Sequence, residues 1–149
     1  GCNDQCTAPI PGWKCSGTTI SVCEEICGDG IIIGTETCDD LTDNLIGCKE
    51  GCKTGYLPEY DCKNESASGP TICTPICGDG IIVDTETCDD GNKIDLEGCT
   101  DDCLGIITGW KCEGDSKSIC EEKCGDGIII KRENWDDESD DDEGCKPGC

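Results

Sequence analysis

Residues 77–120 read CGDGIIVDTETCDDGNKIDLEGCTDDCLGIITGWKCEGDSKSIC, six cysteines separated by turn residues and one short apolar run. Working outward, residues 27–73 repeat its order: CGDGIII, GTETCDD, GCKEGC and a late cysteine pair. Cys124 opens a third copy with CGDGIII. The copies recur at a spacing of roughly 50 residues, which indicates an array of small supersecondary units rather than one large core. Cys2, Cys6, Cys15 and Cys23 match the last four cysteines of a unit, while Cys124, Cys145 and Cys149 match the first, third and fourth. The expected organisation is a tail half at 1–26, full units at 27–76 and 77–123, and a head half at 124–149.

The 149 residues include no Phe, no Met and three Trp, so little large apolar surface is available for burial. Nineteen cysteines take its place. Cross-links that restrict the unfolded chain supply typically ~2–4 kcal/mol each where a small core cannot offset chain entropy. A cysteine content this high marks a disulfide scaffold, and such scaffolds persist in oxidising compartments, so the chain reads as secreted or displayed on an extracellular surface. It has no signal-like segment and no apolar run long enough to span a bilayer, and reads as a mature chain or an excised part. The expected fold is small and disulfide-rich: an elongated tandem array of Cys-rich modules with short β-hairpins and almost no helix. No stretch sustains a 3.6-residue apolar period. The formal charge of −23 repels phosphate backbones and anionic bilayers, which argues against nucleic acid and membrane insertion and favours cations.

Along the chain, Pro9 and Pro11 should hold the approach to Trp13 extended. Trp13, Tyr60 and Trp110 each stand two residues before a cysteine, a position suited to packing on a disulfide or on the next unit; ligand stacking is the sharper alternative. Cys15 and Cys23, like Cys112 and Cys120, bracket Gly/Ser/Thr/Asp turns, the pattern of a small hairpin closed by its own bridge. The middle copy is longer and contains Asn64-Glu65-Ser66, an N-glycosylation sequon in a turn-rich insertion. Ile31–Ile33, Ile81–Val83 and Ile128–Ile130 are β-branched runs bounded by glycine, and each is expected to form a short strand paired in a two-stranded ribbon.

With its glycine, acidic and cysteine positions together, CGDGIIVDTETCDDGNKIDLEGCTDDC, followed by GWKC and a late Cys, resembles the Myxococcus-type cysteine-rich repeat, a module of unknown function in bacterial and protist surface proteins. The resemblance covers essentially the whole chain. It implies secreted or surface proteins with tandem disulfide-bonded modules and brings no established catalytic activity. The chain departs from the pattern at Lys131-Arg132-Glu133-Asn134-Trp135, where Trp135 stands at the second cysteine position and leaves an odd cysteine count.

Without histidine, no Ser-His or Cys-His nucleophile can be assembled, and carboxylate pairs on the turns of tiny modules lack an enclosed pocket, so no enzyme is expected. Zinc sites favour C-x₂-C pairs, whereas the close pairs here have three intervening residues, so disulfides are preferred over zinc. The acidic turns gather Asp39, Asp40 and Asp43; Asp89, Asp90, Asn92 and Asp95; and Asp136, Asp137 and Asp140. Oxygen-rich Gly turns suit Ca²⁺, which flexible carboxylate cages bind; the plain alternative is a solvated acidic surface.

Six cysteines allow fifteen pairings in each unit. The last two survive together in the tail half, which points to local bridges Cys15–Cys23, Cys62–Cys73 and Cys112–Cys120. For the heads, Cys27–Cys52, Cys77–Cys103 and Cys124–Cys149 are expected to enclose Cys38–Cys48 and Cys88–Cys99. Cys2, Cys6 and Cys145 are left unpaired or interchain. The functional expectation is a structural subunit of an extracellular fibre or surface array, a head-to-tail homopolymer stabilised by disulfides, with Ca²⁺ and an N-linked glycan as its non-protein components and no organic cofactor. A monomeric secreted or cell-surface binding or adhesion module, part of a larger protein, is the alternative; besides the chain itself, glycans are the expected partners.

Overall fold

The computed structural model describes residues 1–42, 46–94, 96–130 and 136. It divides into two compact units, Gly1–Pro75 and Ile76–Cys149. Regular structure among the described residues consists of three two-stranded antiparallel hairpins and one 3-10 turn at Glu50–Cys52. In the first unit β1 (Trp13–Ser16) pairs with β2 (Val22–Glu25), and β3 (Tyr60–Asn64) with β4 (Thr71–Pro75). In the second, β5 (Trp110–Glu113) pairs with β6 (Ile119–Glu122).

Arms of four or five residues are too short to persist alone in water. Each hairpin sets two cysteines directly opposite one another, Cys15 with Cys23, Cys62 with Cys73 and Cys112 with Cys120, and each pair is bonded. A bridge closing a loop of this size contributes about 2–3 kcal/mol by limiting the unfolded chain. At the two tighter tips Gly17 and Gly114 adopt φ of 115° and 135°, and a Cβ at either would run into the carbonyl of Ile20 or Lys117.

The two complete heads carry nested bridges: Cys27–Cys52 around Cys38–Cys48, and Cys77–Cys103 around Cys88–Cys99. These sulfurs make the core. The largest fully buried side chains are Cys38, Cys52, Cys88 and Cys103 together with Asp39 and Asp89. Glycine before the third cysteine lets the late bridge pack onto the backbone. A Cβ at Gly98 would lie 2.8 Å from the Cys120 Sγ, and one at Gly47 would overlap that of Cys73.

The isoleucine runs differ from expectation. Ile31–Ile33, Ile81–Val83 and Ile128–Ile130 belong to no strand pair. Side-chain carboxylates take the donors that a ladder would use: the Asp29 Oδ1 accepts from Ile31 N–H, and the Glu36 Oε2 from Ile33 N–H, at 2.9 and 3.0 Å. Val83 and Glu86 repeat the second bond at 2.9 Å. Two of these runs seat against a neighbouring hairpin instead, with Ile31 and Ile33 over Gly12, and Ile128 and Ile130 over Gly109.

Candidate functional site

The recurring chemistry of the chain lies in Cys-Gly-Asp-Gly. Gly28 and Gly30 hold φ of 88° and 79°, and Gly78 and Gly80 both hold 85°. Left-handed glycines alternating with ordinary residues turn successive backbone N–H groups to one side, forming a concavity that binds an anion. Here the anion is the chain's own carboxylate. The Asp39 Oδ2 accepts from Gly28 and Asp29, and its Oδ1 from Gly30 and Leu41, at 2.8–3.2 Å. Asp89 accepts from Gly78, Gly80 and Gly91 at 2.7–3.0 Å. Asp136 does the same with Gly125, Asp126 and Gly127. The third nest therefore forms even though Trp135 replaces the adjoining cysteine.

The next carboxylate fastens the third cysteine. Asp40 accepts from the Thr42 N–H and hydroxyl and, through its other oxygen, from Cys48 N–H at 3.0 Å. Asp90 accepts from the Asn92 backbone and side-chain amides and from Cys99 N–H at 3.2 Å. Asn92 in turn accepts from Ile94 N–H.

The head then docks on its hairpin through one hydroxyl. The Thr71 Oγ1 accepts from Asp39 N–H at 2.9 Å and donates to the Asn64 Oδ1 at 2.7 Å, while Thr71 N–H donates to the Asp39 carbonyl. Ser118 plays the same part for Asp89, with bonds of 3.0 and 2.7 Å. Thr71 and Ser118 are 2% and 4% exposed, so their bonds with Asp39 and Asp89 are made away from water. Nothing in the sequence reading singled out either residue. Their shared place two positions before the last cysteine was the available signal.

The described acidic side chains of these segments turn their oxygens to backbone amides. A cation needs oxygen lone pairs facing it, and the Asp39, Asp89 and Asp136 carboxylates face converging N–H groups. Asp40, Asp90 and Asn92 are likewise committed to turn amides. The sequence grouped them as metal ligands because acidic turns look alike whichever partner they take. Asp43, Asp95, Asp137 and Asp140, and with them Cys145, Cys149 and Trp135, lie outside the described residues. Sulfur and carboxyl atoms do cluster at Cys77, Asp89 and Cys103, but both sulfurs are spent in one disulfide and offer no thiolate. Cys124 is disulfide-bonded.

Two titratable groups record the local environment. Glu36, buried beside its turn, has one oxygen on Ile33 N–H and the other without a donor. Burial raises its carboxyl above the usual range, and Glu86 is raised for the same reason. On β2, Glu25 is held at about 2 by hydrogen bonds from Lys53 and from the Thr35 N–H and hydroxyl. It ties hairpin β1–β2 to the following head. Half-buried Trp13 lines an open depression of about 490 Å³ with Glu25, Thr35, Glu36 and Lys53. Asn64, the sequon residue, is exposed at the end of β3.

A family model described as Domain of unknown function (DUF4215) matches residues 4–53 and 59–104. No curated protein and no solved structure matches the chain.

Proposed function

We propose, because the chain belongs to the cysteine-rich repeat family described as Domain of unknown function (DUF4215), that it is a secreted structural subunit joined to further copies head to tail in an extracellular fibre or surface array. The observation that supports this reading is the inward use of its polar groups. Asp39, Asp40, Thr71 and Asn64 in one unit, and Asp89, Asp90, Asn92 and Ser118 in the other, satisfy the unit's own amides and hydroxyls. A repeat that spends its acidic groups this way is built for durability rather than for turnover. The absence of histidine from the sequence agrees with a role without catalysis. Seven disulfides between described residues suit an oxidising setting, and no helix among the described residues is long and apolar enough to cross a membrane. The resemblance to the Myxococcus-type repeat adds a surface setting.

An N-linked glycan on Asn64 fits the same reading. The sugar attaches through Nδ2, and the Oδ1 that accepts from Thr71 stays available, so modification leaves the docking bond intact. Electron microscopy of the native material at neutral pH tests the proposal. Filaments are the expected result; single particles overturn it in favour of a binding or adhesion module.

A further inference from the structure

Residues 1–26 repeat the backbone of the tails that follow the two complete heads, with Cys6 and Ser21 exposed and Cys2 half-buried. The backbone of this tail repeats that of the two covered tails bond for bond. Cys6 has φ of 54°, where Cys52 and Cys103 have 58° and 56°. Cys6 N–H donates to the Asn3 carbonyl as Cys52 does to Lys49 and Cys103 to Thr100. Cys2 bridges to Pro9 as Cys48 does to Tyr56 and Cys99 to Ile106. The Cys2 sulfur lies beside those of Cys15 and Cys23, much as that of Cys99 lies beside Cys112.

What differs is the cover. Cys52 and Cys103 are buried and bonded to the first cysteine of a head, and Cys48 and Cys99 are buried and bonded to the second. Cys6 is exposed, Cys2 is half-buried, and both are free thiols. A third group points the same way. Ser21, two positions before the last cysteine, is exposed where Thr71 and Ser118 are buried under the Asp N–H of their heads.

We propose that Cys2, Cys6 and Ser21 form an acceptor for a head segment of the Cys-Gly-Asp-Gly…Cys-Asp-Asp type. Cys6 bridges the first cysteine of that segment and Cys2 the second. The Ser21 hydroxyl accepts from the N–H of the aspartate that follows the second cysteine. Each bridge joins two thiols, and the two electrons and two protons released pass to a small-molecule disulfide, which becomes two thiols. The head comes either from the same polypeptide or from a second copy. The inference rests on the repeat reading above and deepens it, because the second source is the covalent link that a fibre requires.

The test has two parts. Native material is alkylated without reduction and digested, and the peptides containing Cys2 and Cys6 are sequenced. The expected result is a Cys-Gly-Asp-Gly partner for Cys6 and a Cys-Asp-Asp partner for Cys2. Two alkylated thiols, a Cys2–Cys6 bridge, or partners lacking these motifs overturn the acceptor, and microscopy can still show filaments in that case. When the partners carry the motifs, electrophoresis with and without reductant tells the sources apart. Loss of mass on reduction identifies a second copy, whereas unchanged mass places the head in the same polypeptide, which keeps the acceptor and removes this link from the fibre. In the second part, the full chain is incubated with a synthetic peptide of residues 76–94, which carries Cys77 and Cys88, in a glutathione buffer. Doubly bridged adduct is expected, Cys2→Ser should leave the single Cys6 bridge, and Ser21→Ala should lower the doubly bridged yield several-fold. Capture of a scrambled peptide at the same yield overturns the proposal.

Discussion

The heads at 27–52 and 77–103 hold the same nest under different covers. In the first, Leu41 occupies the turn position with φ of 66°, a left-handed conformation that β-carbons resist, and its side chain lies over Gly30. In the second, Gly91 takes φ of 85° without that strain, and Lys117 reaches from the β5–β6 tip across Gly80 and Gly91. Left-handed geometry costs an L-residue roughly 1–2 kcal/mol. The first head accepts this cost and gains an apolar lid, half exposed though it is. The second relaxes its backbone and borrows a flexible side chain from its hairpin. The invariant part of the site is thus the buried aspartate, and the cover is interchangeable.

The largest effect is expected where both heads depend on the same group. Asp39→Ala or Asp89→Ala strands several buried amides, each unmade bond costing about 1–3 kcal/mol, so either change should destabilise its own unit by on the order of 4 kcal/mol. Amide hydrogen exchange at Gly30 and Gly80 reads the units separately. Accelerated exchange in both heads from a single substitution would show that the two units do not respond independently.

Removing the docking hydroxyl comes next. Thr71→Val leaves the buried Asp39 N–H without an acceptor and Asn64 without a donor, and about 2 kcal/mol should be lost in denaturant unfolding with disulfides intact. Ser118→Ala should cost somewhat less, since the Ser118 hydroxyl accepts from Asp89 N–H, whereas that of Thr71 both accepts from Asp39 N–H and donates to Asn64. Equal losses would mean that the Asn64 bond contributes nothing.

A smaller effect separates the covers. Gly91→Leu should destabilise the second unit by about 1–2 kcal/mol through backbone strain, with a further loss as Lys117 is pushed aside. Leu41→Gly should change the first unit by less than about 1 kcal/mol, because relief of strain is offset by the greater freedom of glycine in the unfolded chain. A large loss from Leu41→Gly would show that the lid, not the nest, stabilises that head.

The smallest effect is acid dependence. Glu25 is depressed to about 2, so its contribution is present above the ordinary value of 4.5 and is lost as pH falls from there toward 2. Glu36 is raised, so its contribution is present below 4.5 and is lost as pH rises through its folded value; Glu86 behaves in the same way. Glu25→Gln should therefore flatten the acid limb of the first unit's stability, and Glu36→Gln should relieve the loss on the rising side. Amide shifts of Thr35 and Ile33 followed from pH 2 to 7 check both signs.

Much of this molecule could be read from residue order because its cysteines, glycines and turns act locally. A cysteine pair flanking a Gly-rich tip can close only a small hairpin, which makes Cys15 with Cys23 or Cys112 with Cys120 legible from spacing, and interruption by Gly and Cys excludes helix. Membership of 1–26 in the repeat follows from the same spacing. Three-dimensional structure was needed wherever a group has two chemically reasonable partners. Asp39 and Asp89 carry the same charge whichever partner they take, and only the left-handed glycines, which turn backbone amides inward, reveal the partners they have. The Ile31–Ile33 run has strand chemistry, but Asp29 and Glu36 claim its donors before another strand can. Thr71, Ser118 and Ser21 are ordinary hydroxyls in sequence. Burial under an aspartate N–H makes two of them docking points while the third is exposed, and the value of a hydrogen bond depends on whether water can replace it.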